Sequence, residues 1–456
     1  MPASPWDRLA GVLPPAASGP WLHAMLSRNA RTTYLTRYGS PRDRHSFRAQ
    51  VPIVSHEDLL PYLDAIQRGR RDVLFAGRPA AYERTAASTG GAKLVPYSPE
   101  GLEDFRRALL PWLVESARRH GVTGGVYLSI SPATREPETI GDTPVGMSDG
   151  AYLGAPAAAI LAELTAVPFE VAAITDLARW REVTLRHLAA AADLEVISCW
   201  SPTFLLRLLD ELPDPTSLWP RLKLVSCWAA AASRPYAAEL AARLPHAHLQ
   251  PKGLMSTECV VTVPDAEGRP LLTPHGFFEF EGDGRPLLQH ELERGATYSV
   301  IATTASGLYR YRTGDLVRCR GDSTSGRPFL EFAGRGELAS DLVGEKLTEP
   351  FVDECLRTVR GFRMLVPTVQ GDGYVLAAEP DAGADVQHVE QRLCANPQYA
   401  LARRFGQLKS LRLVQIERLF DRYVEAQLKR GVRLGDVKPL ALRRERSWLE
   451  TLGVSA

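Results

Sequence analysis

The chain has 456 residues, 45% of them hydrophobic and 23% charged, and its 54 Lys and Arg almost cancel its 53 Asp and Glu. That length passes the ~250–300 residues at which a single core stops growing, so a large domain plus a smaller one is expected. A formal net charge of +1, with no like-charge block, gives nucleic acid or an anionic membrane little to hold, which argues against both as partners.

The N-terminal stretch MPASPWDRLAGVLPPAASGP has early charges and several prolines, so it reads neither as a signal peptide nor as a membrane span. No segment reaches ~18 apolar residues without charge, and a cytoplasmic chain is expected. The six cysteines (Cys199, Cys227, Cys259, Cys319, Cys355, Cys394) are far apart and make no CxxC pair, which predicts buried free thiols in a reducing compartment. A monomer is expected.

In chain order, Trp6 to about Arg70 mixes apolar and charged residues at helical spacing, with an N-cap at Ser55. Next comes RTAASTGGAKLVPYS, Arg84–Ser98. Thr85, Ser88, Thr89, Gly90 and Gly91 let backbone N–H groups and hydroxyls turn around one anion, and Lys93 adds a point charge. The spacing fits neither the P-loop nor GxGxxG, and such a cluster also suits an ordinary flexible loop. Ser98-Pro99-Glu100 opens a helix with Leu102, Phe105, Leu109, Leu110 and Leu113 on one face, closed by Gly121. Gly124–Ser131 reads as a buried strand, followed by a Pro/Gly/Thr-rich loop over 132–144.

The helix Asp176–Ala192 followed by the strand Leu194–Trp200, and LKLVSCW (Leu222–Trp228) followed by an Ala-rich helix, predict a parallel or mixed sheet covered by helices. From Gly276 short alternating strands predict antiparallel sheet, in the manner of a small barrel. The roughly 120 residues past Arg335 suffice for a separate α+β domain. The fold class is therefore α/β: helix-covered mixed sheets with a small β-barrel-like part over 1–335, then a smaller α+β domain over 336–456.

Four further points carry polar residues where sheet ends and turns should fall. In LMSTE, Ser256 and Thr257 can bond phosphate or carboxylate oxygens and Glu258 can hold magnesium between phosphates; a helix-capping turn is the bland alternative. In YRYRTGDLV, Asp315 is placed to accept ribose hydroxyls, although Gly-Asp is also a common hairpin turn. Gly334-Arg335 falls at the expected domain boundary, and Lys438 stands between Gly435-Asp436 and Pro439.

This order of motifs resembles the adenylate-forming superfamily of acyl-CoA synthetases, nonribosomal adenylation domains and luciferases. GLYRYRTGD, EKLTE, WSPTF and GDVKP are closer still to bacterial relatives of the Gretchen Hagen family of acyl acid amido synthetases, and the resemblance runs from about Arg48 to Arg443. It implies ATP and Mg²⁺, a small-molecule carboxylic acid, and an amine or amino acid acceptor. Residue by residue, it implies that Thr85, Ser88, Thr89, Gly90 and Lys93 surround the β- and γ-phosphates, and that Thr257 and Glu258 meet the α-phosphate and magnesium. Asp315 then binds the ribose, Arg335 is the hinge, Lys346 belongs to the post-hinge motif, and Lys438 is carried to the α-phosphate by a mobile C-terminal domain. The acyl pocket is expected at Tyr127, Val145, Met147, Tyr152, Leu153 and Phe204. Ala86, Ala87, Ala92 and Leu254 depart from the family pattern. A thioester-forming ligase and a binding relative that has lost the chemistry are the alternatives.

Overall fold

The computed structural model describes residues 4–15, 20–85, 93–128, 138–282, 284–336 and 339–454. The lead-in is helical: α1 (Pro5–Gly11), α2 (Trp21–Asn29), α3 (Thr33–Arg37), α4 (Arg44–Gln50) and α5 (His56–Gln67). Ser55 caps α5 in a reciprocal box with Asp58, whose carboxylate accepts the Ser55 N–H. A four-stranded mixed sheet follows, ordered β2-β1-β5-β4 from β1 (Ala81–Arg84), β2 (Leu94–Tyr97), β4 (Glu138–Ile140) and β5 (Thr143–Val145). The expected loop over 132–144 thus ends in a hairpin. Short three-residue strands of mixed Glu, Thr, Pro and Val carry too little alternation to be seen in sequence.

The helix α6 (Pro99–Arg119) crosses next, capped by the Ser98 hydroxyl, which accepts the Gly101 N–H at 2.9 Å. It covers one face of a four-stranded parallel sheet ordered β3-β6-β7-β8. The strands are β3 (Gly125–Leu128), β6 (Leu194–Ser198), β7 (Leu224–Cys227) and β8 (His248–Pro251). Val126, Val196 and Leu224 pack with Leu110 and Trp112 on that face, and Tyr127, Ile197 and Val225 pack with Trp180 and Leu205 on the other. Burial on both faces is why these strands read as unbroken apolar runs. Connecting them are α7 (Asp149–Leu153), α8 (Ala155–Ala162), α9 (Leu177–Ala190), α10 (Pro202–Asp210), α11 (Pro215–Leu218) and α12 (Arg234–Arg243).

The antiparallel part is a seven-stranded sheet ordered β12-β11-β13-β14-β15-β10-β9. Its strands are β9 (Thr262–Pro264), β10 (Pro270–Leu272), β11 (Phe277–Glu281), β12 (Pro286–Leu287), β13 (Thr297–Thr303), β14 (Tyr311–Asp322) and β15 (Pro328–Arg335). Among the described residues the edge strands β9 and β12 do not pair with each other, so the barrel-like part remains an open sheet. The segment before β14 fastens it to the helical lead-in. Tyr309 stacks on Tyr34 at 5.1 Å and donates to the Leu74 carbonyl, while Arg310 donates to the carbonyls of Arg48 and Val51. Glu279, fully buried, accepts from Arg310 at 2.8 Å and from Arg48 at 2.8 Å.

Past Arg335 come β16 (Ala339–Ser340), β17 (Leu347–Thr348), α13 (Glu349–Cys355), β18 (Arg363–Pro367), β19 (Tyr374–Ala378), α14 (Val386–Leu393), α15 (Pro397–Arg404), β20 (Arg412–Gln415), α16 (Leu419–Lys429) and α17 (Trp448–Thr451). The sheet β18-β19-β20 packs Leu365 and Leu376 against the helices of its own region, and turns Met364, Val366 and Val375 toward α16. That second cluster continues into the N-terminal part: Phe420 stacks on Tyr236 at 6.2 Å, Arg207 lies 5.1 Å over Phe420, and Arg207 also pairs with Asp421. The two parts therefore share an apolar contact as well as a chain crossing.

Two outcomes test this packing. Glu279→Ala leaves two guanidinium groups without their buried carboxylate and is expected to cost about 3–5 kcal/mol in urea unfolding; a loss under about 1 kcal/mol would show that the lead-in is not fastened here. Glu349, 2% exposed at the start of α13, has its carboxyl pushed up to about 7 by burial and by Asp353, against the pull of the Ala441 N–H and of Arg363 and Arg443. A carboxyl raised in the folded state contributes stability below its ordinary range and loses it as pH rises through about 7. The stability of Glu349→Gln relative to the unsubstituted protein should thus improve by a few kcal/mol between about pH 4 and about pH 8. A pH-independent difference would remove Glu349 from that linkage.

Candidate active site

The strands β1 and β2 pair antiparallel up to Arg84↔Leu94, and the segment between them is closed at its base. The Thr85 N–H donates to the Lys93 carbonyl at 2.8 Å, and the Lys93 N–H donates to the Thr85 hydroxyl at 3.1 Å. Ser88, Thr89, Gly90 and Gly91, expected to hold phosphate, lie outside the described residues. His56, the first residue of α5, faces this mouth. Burial and Lys93 hold its imidazole below the ordinary histidine range, while Glu57 and Glu258 pull it up. Its position depends on α5 packing onto the lead-in, which no local motif reports.

Ser256-Thr257-Glu258 forms a tight turn rather than a helix cap. Met255 and Val260 make a bridge, and the Ser256 N–H and hydroxyl both engage the Cys259 carbonyl, at 2.9 and 3.3 Å. The Ser256 hydroxyl also accepts the Cys259 N–H, so Ser256 shapes the turn while Thr257 and Glu258 stand half-buried at its tip. The Tyr97 hydroxyl donates to the Thr257 carbonyl at 2.5 Å and ties this tip to β2. Gly253 is required beside it, because a Cβ there would stand 2.0 Å from the Thr262 carbonyl oxygen.

Asp315 lies inside β14 rather than in a hairpin turn. Gly314 before it takes φ +76° and accepts the Gly336 N–H at 3.0 Å, and Asp315 sits opposite Arg335 across the β14–β15 ladder. The Arg335 Nε donates to Asp315 Oδ1 at 2.9 Å, with Asp315 only 2% exposed. One carboxylate oxygen is thereby engaged by the chain itself.

Lys438 arrives from the far end of the sequence. The Tyr423 hydroxyl holds its backbone carbonyl at 2.7 Å, and its Nζ lies 5.2 Å over the Trp228 ring. Burial and Arg335 hold its ammonium below the ordinary lysine range, and Asp315, Glu258 and Asp436 oppose them. Lys438, Arg335, Asp315 and Glu258 are thus brought into one electrostatic neighbourhood. Trp228 neighbours Trp200 at 6.0 Å, both half-buried, and Lys252 lies 5.0 Å over Trp200 while donating to the Ser198 hydroxyl at 2.7 Å.

Lys346 is placed differently. Glu345, 1% exposed, accepts the Leu342 and Val343 N–H groups, and Lys346 stands exposed beside it at φ +46°. The expected acyl residues are divided as well. Tyr127 and Phe204 lie in the core with Trp180, Val145 borders the lead-in core, and Leu153 packs beside α6. Met147 and Tyr152 pack with Tyr97, next to the Thr257 tip. Apolar character marks both a pocket wall and a core, so residue type alone does not separate them.

The donor set fits nucleotide phosphates better than a resident metal. Lys93, Lys438 and Arg335 supply positive charge, and among the described residues no three His, Cys, Asp or Glu side chains converge on a metal site. A magnesium ion at Glu258 would take its other ligands from phosphate and water, as that ion commonly does.

The profile of the GH3 family N-terminal domain matches residues 14–215, and that of the GH3 family central domain matches residues 270–335. The indole-3-acetic acid-amido synthetase GH3.15 of Arabidopsis thaliana is 25% identical over 430 residues, covering 76% of this chain and 71% of its own. The solved structure of AtGH3.15 acyl acid amido synthetase in complex with 2,4-DB superposes with a TM-score of 0.81 at 19% identity, covering 98% of this chain and 93% of the other. The 2-hydroxyisobutyryl-CoA ligase in its postadenylation state shares the fold at a TM-score of 0.53 and 15% identity, covering 98% and 90%.

Proposed function

Because the chain belongs to the GH3 (Gretchen Hagen) family, we propose that it joins a carboxylic acid to an amine or amino acid in two ATP-dependent steps, releasing AMP and pyrophosphate. The observation that carries this reading is the meeting of Lys438 with Asp315, Glu258 and Arg335, which gathers the charges an acyl adenylation needs.

A carboxylate is a poor electrophile, and its hydroxide is a poor leaving group. Attack of a carboxylate oxygen on the α-phosphorus of ATP forms an O–P bond and breaks the bridge to the β-phosphorus, so pyrophosphate leaves and AMP becomes the leaving group of the next step. Both reactants are anions, and the chain must supply the counter-charge. Lys438 stabilises charge developing at the α-phosphate, Thr257 donates to it, and Thr85, Lys93 and the Ser88–Gly91 segment hold the β- and γ-phosphates. Asp315 orients the ribose. Glu258 would hold a magnesium ion, which when bound would supply positive charge to the phosphates. Fixing both substrates in line removes much of the entropic barrier.

In the second step the amine nitrogen attacks the acyl carbon, AMP departs with the bonding electrons, and the nitrogen loses a proton to solvent or to a phosphate oxygen. A rotation of residues 336–456 about Arg335 withdraws Lys438 and turns a surface bearing Lys346 toward the adenylate. That rotation parts Phe420 from Tyr236. The half-buried Trp200–Trp228 pair beside Lys438 favours an apolar or aromatic acid, in keeping with indole-3-acetic acid in the name of the Arabidopsis relative. Departures at Ala86, Ala87 and Leu254 leave the charged residues of the site intact.

AMP release from ATP and magnesium, with pooled aromatic and aliphatic acids, should be stimulated by pooled amino acids and amines; stimulation by coenzyme A instead would move the chain to thioester formation. Lys438→Ala should lower acid-dependent pyrophosphate release about 10²-fold and leave the attack of amine on presynthesised acyl-AMP nearly intact. Equal loss of both steps would refute the assignment of Lys438 to the first.

A further inference from the structure

Glu83 lies on β1, two residues before the Thr85 clasp, and is 4% exposed. Its carboxylate joins three separate segments. Oε1 accepts the Met147 N–H at 2.5 Å, and Oε2 faces the Arg433 guanidinium at 3.6 Å. Met147 and Tyr152 belong to the expected acyl pocket, whereas Arg433 belongs to the segment that carries Lys438.

The route from Arg433 to Lys438 is short and stiff. The Arg433 carbonyl accepts the Asp436 N–H at 2.9 Å and so closes a 3₁₀ turn, and Val437 behind it is 2% exposed in the shared core. On the other side, Gly146 takes φ +87°, and a Cβ there would stand 3.0 Å from the Arg433 Nη2. A residue without a side chain at that point leaves room for the guanidinium over the backbone that runs into Met147. Tyr152 stands edge-on to Tyr97 at 5.8 Å, and Tyr97 in turn holds the Thr257 carbonyl. One continuous set of contacts thus links the lysine segment, the acyl pocket and the Glu258 turn.

We propose that Glu83 and Arg433 are positioning residues: their ion pair spans residues 1–335 and 336–456 and holds the Lys438 segment over the acyl pocket in the arrangement that activates the acid. The proposal rests on the two-step reading above. A buried carboxylate already held by the Met147 N–H presents a fixed anion, so Arg433 docks against a preorganised partner rather than against a mobile surface charge. Because binding linkage is reciprocal, an acid that binds better to the docked arrangement also favours docking, and docking favours the acid.

The test separates the half-reactions in the full-length protein. Arg433→Gln and Glu83→Gln should each lower acid-dependent pyrophosphate exchange about tenfold or more, with the rate of amide formation from presynthesised acyl-AMP unchanged within about twofold. The double variant should be no worse than either single one, since both remove the same pair. Arg433 is partly exposed, so its variant keeps the test open if Glu83→Gln fails to fold. Retention of exchange in Arg433→Gln, equal loss of both half-reactions, or additive losses in the double variant would each overturn the proposal. Absence of exchange in the unsubstituted protein would instead overturn the two-step reading itself.

Discussion

A buried carboxylate must be compensated, and Asp315 is compensated by groups from two distant parts of the chain. Arg335 meets it across the β14–β15 ladder at 2.9 Å, and Lys438 acts on it from the C-terminal region. The first contact fixes the register of the two longest strands and sets where the chain leaves the antiparallel sheet. The second gives the returning lysine segment an electrostatic reason to dock. Without Asp315, Arg335 and Lys438 would face each other as like charges in a partly dehydrated space, where their repulsion is little screened.

The same economy appears around the lysine itself. Its ammonium lies against the Trp228 ring and within the field of three carboxylates, so it remains close to charged partners although removed from much of the solvent. An ammonium held this way shares its charge among several carboxylates rather than with one. The apolar contact of Phe420 with Tyr236 holds the segment from behind, and the Glu83–Arg433 pair holds it from the side of the acyl pocket. The contact between the two parts is thus shared between non-directional packing and directional charge.

Much of the framework was legible in the chain. Residues 194–200 and 222–228 announced a parallel or mixed sheet because both faces of those strands are buried, and Ser98-Pro99 and Asp176 announced helix starts because a side-chain oxygen there meets free backbone N–H groups. Ser256-Thr257-Glu258, Asp315, Arg335 and Lys438 each had an ordinary alternative, and only their order along the chain, through its resemblance to the adenylate-forming superfamily, singled them out. The short strands of the 138–145 hairpin were not, since their length carries no period. Tyr127 and Phe204 showed the limit of residue type: both are aromatic, and the fold buries them in the cluster that holds Trp180.

What the sequence determined by itself is therefore the set of local elements and the chemical repertoire, because caps, periodicity and polar residues at breaks act over a few neighbours along the chain. What only the tertiary structure decided is which of those groups share a volume. Glu83 reads as one more strand residue, Arg433 as one more surface charge and His56 as a helix start, until folding sets Glu83 against Arg433 and His56 beside Lys93 and Glu258. The physical reason is that electrostatic coupling and burial depend on distance through space, and the chain order of these residues carries no record of it.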